Sequence, residues 1–443
     1  MTAEIALINR SALALAADSA ATLRIGSKSK TYNTAEKIFE FSCRQPIAIM
    51  IYNNVEHVGV PLDVIIRKHR TECSVKFDSL KDAADEFLNY LLEFPRSPSQ
   101  EGIYLAAIML DIYHDLYQTL NRIVRKAINA KADGKPTSTA MREFDNAIDE
   151  AIKKFQDRPL KGFLEDKNLD EFINEYSEAC DQAVNTAFKG LELIERHRNK
   201  LLSLAFAVVK SEIGSDLLTG LVFGGFGARD LFPTLHYLEI DGTYFGVQKI
   251  LKRNEVDIDR EGDRAAMVPF AQSDMAERFI SGIDGELIGA IEDFIAKAVD
   301  EIATTKPDVF SKKEIKDIKI TVLNEFGRTI EELMGTERRD LLDILNFMSK
   351  KEMGELAHAL VELTSAKRRF STDLETVGGP IDVAIVSRSE GFIWIKRKHY
   401  FESEANPGYF TRVFPVRAAG GADENQAGKS ANSEYKNPDR EGR

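Results

Sequence analysis

Cysteine is scarce in this sequence of 443 residues, and the three that occur lie far apart without a Cys-x-x-Cys pair: Cys43, Cys73 and Cys180. This spacing argues against a disulfide framework and a cysteine-type zinc site, and it is typical of a reducing compartment. No apolar run approaches the roughly 18 residues that a membrane-spanning helix needs. No basic segment precedes the first apolar stretch, as it would in a secretory signal. We therefore expect a cytoplasmic protein that does not enter a membrane.

Positive charge is also in deficit, because 59 Lys and Arg residues stand against 71 Asp and Glu, for a net charge of −12. An excess of this sign argues against binding nucleic acid through overall charge. The seven histidines are scattered without a His-Glu-x-x-His pair, and the glycine pairs fit neither a dinucleotide-binding loop nor a P-loop. We therefore expect no metal, no cofactor and no nucleic-acid partner.

The length and composition suit two or three structural units, since 43% of the residues are hydrophobic and 29% are charged. Residues 1–78 and 206–416 carry both strand-like and helical patterns, and we expect them to form one discontinuous domain. Between them, 79–205 has apolar residues three and four apart, which predicts an inserted helical domain. Residues 417–443 have almost no apolar side chains, which predicts a disordered polar tail.

The order of strands, helices, strands, helices and strands predicts an α+β fold. Helices on both faces of antiparallel sheets would make a four-layer αββα sandwich with an inserted helical domain. Three local predictions can be checked separately. Asp241-Gly242 is a hairpin signal between strands at 234–239 and 243–247. Helices are expected at 55–70 and at 275–303.

Three residues near the start of the chain have a distinctive spacing. Thr2 follows Met1, Asp18 comes sixteen residues later at the end of a predicted strand, and Lys37 opens the segment Lys-Ile-Phe-Glu-Phe. This pattern resembles the N-terminus of proteasome β-type subunits and their bacterial relatives, which are N-terminal-nucleophile hydrolases. In that family the Thr, the acid and the Lys form the catalytic centre. The stretch from acid to Lys is three residues longer here, which a loop can absorb.

Later segments carry the same resemblance, in order, so that it covers about 2–70 and 205–400. The segment Pro269-Phe-Ala-Gln-Ser-Asp is similar to the stretch that supplies a supporting serine, which would be Ser273. The segment Val377-Gly-Gly-Pro-Ile-Asp-Val resembles a strand near the end of the family fold. The family's Asp and Ser before this glycine pair are replaced by Leu374 and Val377, so Asp373, Glu375 or Thr376 would have to compensate.

The resemblance implies amide hydrolysis by the first residue of the mature chain. A threonine hydroxyl needs a base within hydrogen-bond distance, and a free α-amine has a pKa of about 7.7–8.0. If Met1 is removed, Thr2 carries both groups. The charge of Lys37 would favour the neutral amine and the ionised hydroxyl, and Asp18 would hold Lys37. A backbone N–H near Tyr52, where the family has glycine, would stabilise the oxyanion.

Each residue also has an ordinary structural interpretation. Thr2 is a common second residue, Asp18 suits a turn, Lys37 suits an exposed strand edge, and Ser273 suits a helix N-cap. Three functions stay open: a threonine-type peptidase, a small-amide hydrolase favoured by the bulk of Tyr52, and an inactive structural or interaction protein. The resemblance further implies a homo-oligomer in the form of a ring, a peptide or protein substrate, and an ATP-driven unfoldase as partner.

Overall fold

The computed structural model describes residues 3–25, 28–97, 99–129, 136–189, 191, 193–259, 262–272, 274–283, 285–305, 311–370, 378–399, 401–402 and 404–408. Three predicted site residues, Thr2, Ser273 and Asp373, lie outside these ranges, as does the predicted tail at 417–443. The described residues up to Lys398 belong to one compact unit, and those from His399 onward belong to a second.

Most of the strands form two five-stranded antiparallel sheets. The strands are β1 (Ala3–Asn9), β2 (Ala12–Ala17), β3 (Ala21–Ile25), β4 (Lys28–Tyr32), β5 (Ile38–Glu40), β6 (Ile47–Asn53), β7 (Glu56–His57), β8 (Val60–Pro61), β9 (Thr219–Gly225), β10 (Thr234–Tyr244), β11 (Val247–Asp257), β12 (Ala265–Ala271), β13 (Asp382–Ser387) and β14 (Gly391–Lys396). The first sheet has the order β12-β1-β2-β13-β14 and the second has β11-β10-β9-β6-β5. β3 pairs with β4 and β7 with β8 as small separate hairpins.

The two sheets share one buried apolar core. Leu13 and Leu15 of β2 lie in the same cluster as Met50 of β6 and Val222 of β9. The alternate residues of β2, such as Ala14, face the other way and contact the helices that cover the first sheet. This alternation is what a strand produces, because successive side chains point to opposite faces. The protein is thus α+β with antiparallel sheets, as predicted.

Helices pack on the outer face of each sheet. The described helices are α1 (Leu62–Glu72), α2 (Leu80–Glu93), α3 (Gln100–Asn129), α4 (Pro136–Gln156), α5 (Leu169–Ala187), α6 (Glu195–Lys210), α7 (Asp274–Ser281), α8 (Gly285–Thr305), α9 (Lys312–Phe347) and α10 (Lys350–Arg369). α1 and α2 share a core with the second sheet, and α7, α10 and the end of α9 share one with the first sheet. α3 to α6 enclose a further core of their own, which Tyr244 at the end of β10 joins. None of the described helices combines the length and apolarity that crossing a bilayer requires.

The predicted hairpin turn at Asp241-Gly242 was wrong. Both residues lie inside β10, where the register with β11 shifts between Ile240 and Thr243. The turn comes later, at Phe245 and Gly246, whose φ angles of 52° and 71° are those of a type I′ hairpin. Gly242 has φ 83°, so its glycine serves an irregular point in the strand instead of the turn.

Two predicted helices also begin or continue differently. The helix expected at 55–70 starts at Leu62, because the small β7–β8 hairpin occupies the preceding residues. That hairpin turns at Val58 and Gly59, which both have positive φ. The helix expected at 275–303 is divided into α7 and α8, and Gly282 follows α7 with φ 74°. A glycine in this conformation commonly ends a helix.

Candidate active site

Asp18 and Lys37 meet between the two sheets. Asp18 directly follows β2 of the first sheet, and Lys37 directly precedes β5 of the second. The Lys37 Nζ lies 2.5 Å from Asp18 Oδ1, and both side chains are almost completely buried, at 1% and 0% exposure. A buried ammonium requires a close counter-ion, because leaving water is otherwise too costly. The ion pair therefore links the two sheets at this end of the protein.

The Asp18 carboxylate is also held by the backbone on three sides. The N–H groups of Ala3 and Ala20 donate to it over 3.3 Å each, and the N–H of Gly378 donates over 2.8 Å. The backbone N–H of Asp18 in turn donates to the carbonyl of Ala3 over 3.1 Å. The carboxylate thus fixes the beginning of β1, the turn after β2 and the approach to β13 around Lys37.

A second carboxylate, Glu4, contacts the same lysine and was missed by the sequence reasoning. Its Oε1 lies 3.1 Å from Lys37 Nζ, and its side chain is fully buried. The signal was present in the sequence, because Glu4 is the one charged residue in the apolar strand Ala3-Glu-Ile-Ala-Leu-Ile. Strand alternation puts it on the same face as Ala6, which points between the sheets. A charge at such a position requires a buried partner.

Tyr52 of β6 borders this charged cluster. Its hydroxyl donates to Glu239 Oε1 over 3.2 Å, and its ring lies 5.2 Å from that of Phe270 between centroids. Burial, followed by the nearby carboxylates of Glu239 and Glu4, raises the pKa of the Tyr52 hydroxyl far above its usual value. The ring lies over Gly220, where an added Cβ would come within 2.1 Å of ring atoms. Glycine at 220 therefore makes room for the tyrosine ring.

The other predicted site residues can be related to described neighbours. β12 pairs with β1 so that Ala271 lies opposite Ala3. The chain just before Ser273 and the residue just after Thr2 are thus neighbours in the first sheet. Asp373 belongs to the undescribed residues 371–377. The next residue along the chain, Gly378, donates its N–H to Asp18. The positions of Thr2, Ser273 and Asp373 themselves stay predictions.

Side chains that could jointly bind a metal lie elsewhere among the described residues. His69, Cys73 and Glu86 offer nitrogen, sulfur and oxygen atoms that lie within 4.8 Å of one another. They are carried by α1, its C-terminal cap and α2, which cover the outer face of the second sheet. This group is separate from the Lys37 cluster between the sheets.

Comparison with family models and with curated proteins finds no match to this chain. A function therefore has to be inferred from the residues gathered around Lys37.

Proposed function

We propose that the protein is a threonine-type peptidase or amidohydrolase with the αββα sandwich of the N-terminal-nucleophile hydrolases. One observation carries the proposal: Lys37 Nζ lies 2.5 Å from Asp18 Oδ1, and the same carboxylate accepts the N–H of Ala3 over 3.3 Å. The Ala3 nitrogen is covalently attached to residue 2, the expected nucleophile. Two facing sheets with helices on both outer sides support the family fold.

The mechanism begins with attack by the Thr2 hydroxyl oxygen on the carbonyl carbon of an amide. The α-amine of Thr2 takes the hydroxyl proton and later gives it to the leaving amine, so that an ester to Thr2 forms as the C–N bond breaks. Water then attacks the ester, with the same amine as base, and releases the carboxylic acid. Lys37 supplies positive charge beside these steps, and its contacts with Asp18 and Glu4 hold it in place. Ser273 and Asp373 would support the amine, and a backbone N–H near Tyr52 would bind the oxyanion.

The test joins intact-mass measurement with labelling by a peptide epoxyketone, which reacts with a hydroxyl and a free amine on the same residue. We expect a mature chain that begins at Thr2 and gains one equivalent of label. Thr2→Ala should abolish labelling without unfolding the protein, whereas Thr336→Ala, on the exposed surface of α9, should leave it unchanged. A blocked or extended N-terminus in the native protein, or labelling that persists in Thr2→Ala, would refute the mechanism.

A small-amide hydrolase is the second candidate, because the Tyr52 ring fills part of the core between the sheets and its hydroxyl interacts with the charge of Glu4, a partner of Lys37. A narrow site admits a small amide more readily than an extended peptide. Turnover of a small amide without degradation of casein or fluorogenic peptides would favour this candidate. The inactive structural protein is favoured instead if neither substrate nor epoxyketone reacts with a chain whose first residue is Thr2.

Self-association belongs to the same proposal. α8, all of whose residues are described, has no buried residue, and its Phe294 and Ile302 are 70% and 60% exposed. Leu333 of α9 is 59% exposed. Monomers rarely expose large apolar side chains in groups, so the surfaces of these helices support a homo-oligomer. The family resemblance further implies that this oligomer is a ring and that an ATP-driven unfoldase is its partner. Light scattering of the purified protein should give a mass above one chain, and Phe294→Glu should lower it.

A further inference from the structure

The last turn of α1 faces α2 through three residues of different donor type. His69 and Cys73 are four residues apart, at the end and cap of α1, and Glu86 extends from α2. One ligand atom from each lies within 4.8 Å of the other two. Sequence spacing does not reveal this group, because its third member comes from another helix and it contains a single cysteine.

His69 is held rigidly in this position. Its ring is 1% exposed, stacks on Phe41 with a centroid distance of 4.7 Å, and makes edge contacts with Phe87 and Tyr90. Its Nε2 lies 2.6 Å from Glu86 Oε2, while its Nδ1 has no hydrogen-bond partner among the described residues. The aromatic surroundings fix the ring and limit access of water to it.

We propose that His69, Cys73 and Glu86 bind one Zn²⁺ ion. Nitrogen, sulfur and carboxylate oxygen are the donors that zinc uses, at about 2.0–2.3 Å in a tetrahedral arrangement. Three protein ligands leave the fourth position to water. Ligand atoms of such a site are roughly 3.3 Å apart, so the His69–Glu86 contact opens slightly as the metal replaces the proton between them. Glu86 can make this shift, because its side chain is 37% exposed.

A cavity reaches the Cys73 member of this group. Its volume is about 530 Å³, and its lining includes Cys73, Cys43 and three arginines. Arg67 is paired with Glu36 and Arg70 with Glu40, which reduces the positive charge that an entering cation meets, while the Arg44 guanidinium donates to the Ser74 carbonyl. The cavity also leaves room for the water that would complete the coordination.

Binding would add a link between α1 and α2, which already meet here through the His69–Glu86 hydrogen bond. A metal that binds the folded chain and not the unfolded chain raises the free energy of unfolding. The site lies on the outer face of the second sheet, so its loading and the reactivity of Thr2 can be measured independently.

The test uses the full-length protein after dialysis against a chelator. We expect one Zn²⁺ per chain by competition with a chromophoric chelator and a higher Tm when zinc is added. Co²⁺ in place of Zn²⁺ should give visible d–d bands and a near-ultraviolet thiolate-to-cobalt band. Cys73→Ser should remove the thiolate band, and Glu86→Gln should weaken Zn²⁺ binding by at least about tenfold, the loss that even an outer partner's removal causes.

The other two cysteines provide matched controls. Cys43→Ser changes the same cavity, and Cys180→Ser changes a buried thiol in the α3–α6 core, and both variants should retain the cobalt spectrum and the stoichiometry. Circular dichroism checks that the variants are folded, which matters most for any change of the buried His69. The proposal fails if the native protein binds no Zn²⁺ at micromolar concentration, or if Cys73→Ser and Glu86→Gln bind it as tightly as the native chain.

Discussion

At the scale of single residues, Lys37 is a cation enclosed between two carboxylates. The resemblance to the N-terminal-nucleophile hydrolases was enough to pair it with Asp18, because that family brings an acid and a lysine at these places together. It was not enough to include Glu4, which lies inside β1 and is not one of the residues that carry the resemblance. Strand alternation could have identified Glu4 as buried, but alternation does not say which cation a buried acid meets.

Removing the lysine should therefore destabilise the protein strongly. Lys37→Met leaves Asp18 and Glu4 buried without a counter-ion, and we expect the free energy of unfolding to fall by about 3–5 kcal/mol. Urea denaturation measures this change. Lys351→Met is the control, because Lys351 and its partner Glu355 are 83% and 63% exposed, and an exposed pair contributes about 0–1 kcal/mol. Equal losses in the two variants would contradict the role assigned to Lys37.

A buried histidine should give the protein a specific sensitivity to acid. Burial, followed by the charge of Arg96, lowers the pKa of His57 to about 3, and its Nε2 lies 3.4 Å from Thr243 Oγ1. The unfolded chain binds this proton near pH 6.5 and the folded chain does not. The contribution of the neutral His57 to the free energy of unfolding is therefore fully present above pH 6.5 and is lost as the pH falls toward 3.

Between pH 7 and pH 5 the expected loss is roughly 2 kcal/mol from this histidine. His57→Gln should remove that part of the loss, as measured by urea midpoints at the two pH values, whatever its effect at pH 7. His114→Gln, at an exposed position on α3, should keep the native pH dependence. An unchanged pH dependence in His57→Gln would contradict this, because it would show that His57 binds its proton at the same pH in the folded and the unfolded chain.

At the scale of elements, strand and helix type were easier to predict than where each element ends. The prediction of β2 as a strand was correct, because its leucines and alanines alternate between two buried faces. The turn of the β10–β11 hairpin was misplaced because Asp-Gly is a strong local turn signal. The register shift in β10 uses that glycine instead. A strand irregularity and a turn both favour positive φ, and the sequence does not distinguish them.

Removing a helix cap should lower the stability of the whole protein more when the helix packs on a sheet than when it is mostly exposed. Ser349 caps α10 and Ser311 caps α9, in both cases by accepting the N–H of a glutamate three residues later. α10 is packed on the first sheet, whereas α9 has a single buried residue, Leu345, near its far end.

Ser349→Ala should therefore lower the global free energy of unfolding by about 1 kcal/mol. Ser311→Ala should mainly increase local opening of the first turns of α9, which hydrogen exchange measures as faster exchange of their amides. The idea is wrong if both variants shift the global urea midpoint equally.

At the scale of the whole molecule, the α+β class with antiparallel sheets followed from the order of the patterns. Which helices cover which sheet did not, because helical periodicity shows that a face is apolar without showing what it meets. α2 lies within the predicted insertion at 79–205, yet Phe87 packs with the second sheet and not with α3–α6. The group of His69, Cys73 and Glu86 was not predicted for the same reason, because its members come together only in the folded chain.

A buried charge cluster joins the α3–α6 helices to the second sheet. Asp241 of β10 accepts from Ser215 Oγ over 2.5 Å, from Tyr104 of α3 over 3.3 Å and from Lys249 of β11 over 3.2 Å. Lys249 also donates to the carbonyl of Val208 in α6 over 3.1 Å. The helices and the sheet are thus connected by a polar network whose two charged members, Asp241 and Lys249, are both 1% exposed.

Asp241→Asn should lower the free energy of unfolding by about 3–5 kcal/mol, because Lys249 stays buried without its counter-ion. The loss should affect the α3–α6 helices and the sheets together. Fluorescence of the single tryptophan, Trp394 of β14, reports on the first sheet, and far-ultraviolet circular dichroism reports mainly on the helices. The two urea transitions should coincide and move together. Asp85→Asn, in a half-exposed pair with Arg253, should shift neither, and separate transitions in Asp241→Asn would contradict the coupling.

The same network limits which segments can be removed from this protein without unfolding the rest. A chain from which 100–210 had been excised would lose the Tyr104 hydroxyl and the Val208 carbonyl, and it would open Asp241 and Lys249 to solvent. The end of β10 would also present Tyr244 without the apolar side chains that enclose it. The α3–α6 helices therefore cannot be separated from the sheet, and neither grafting them onto another scaffold nor trimming them to obtain a smaller protein should give a stable product.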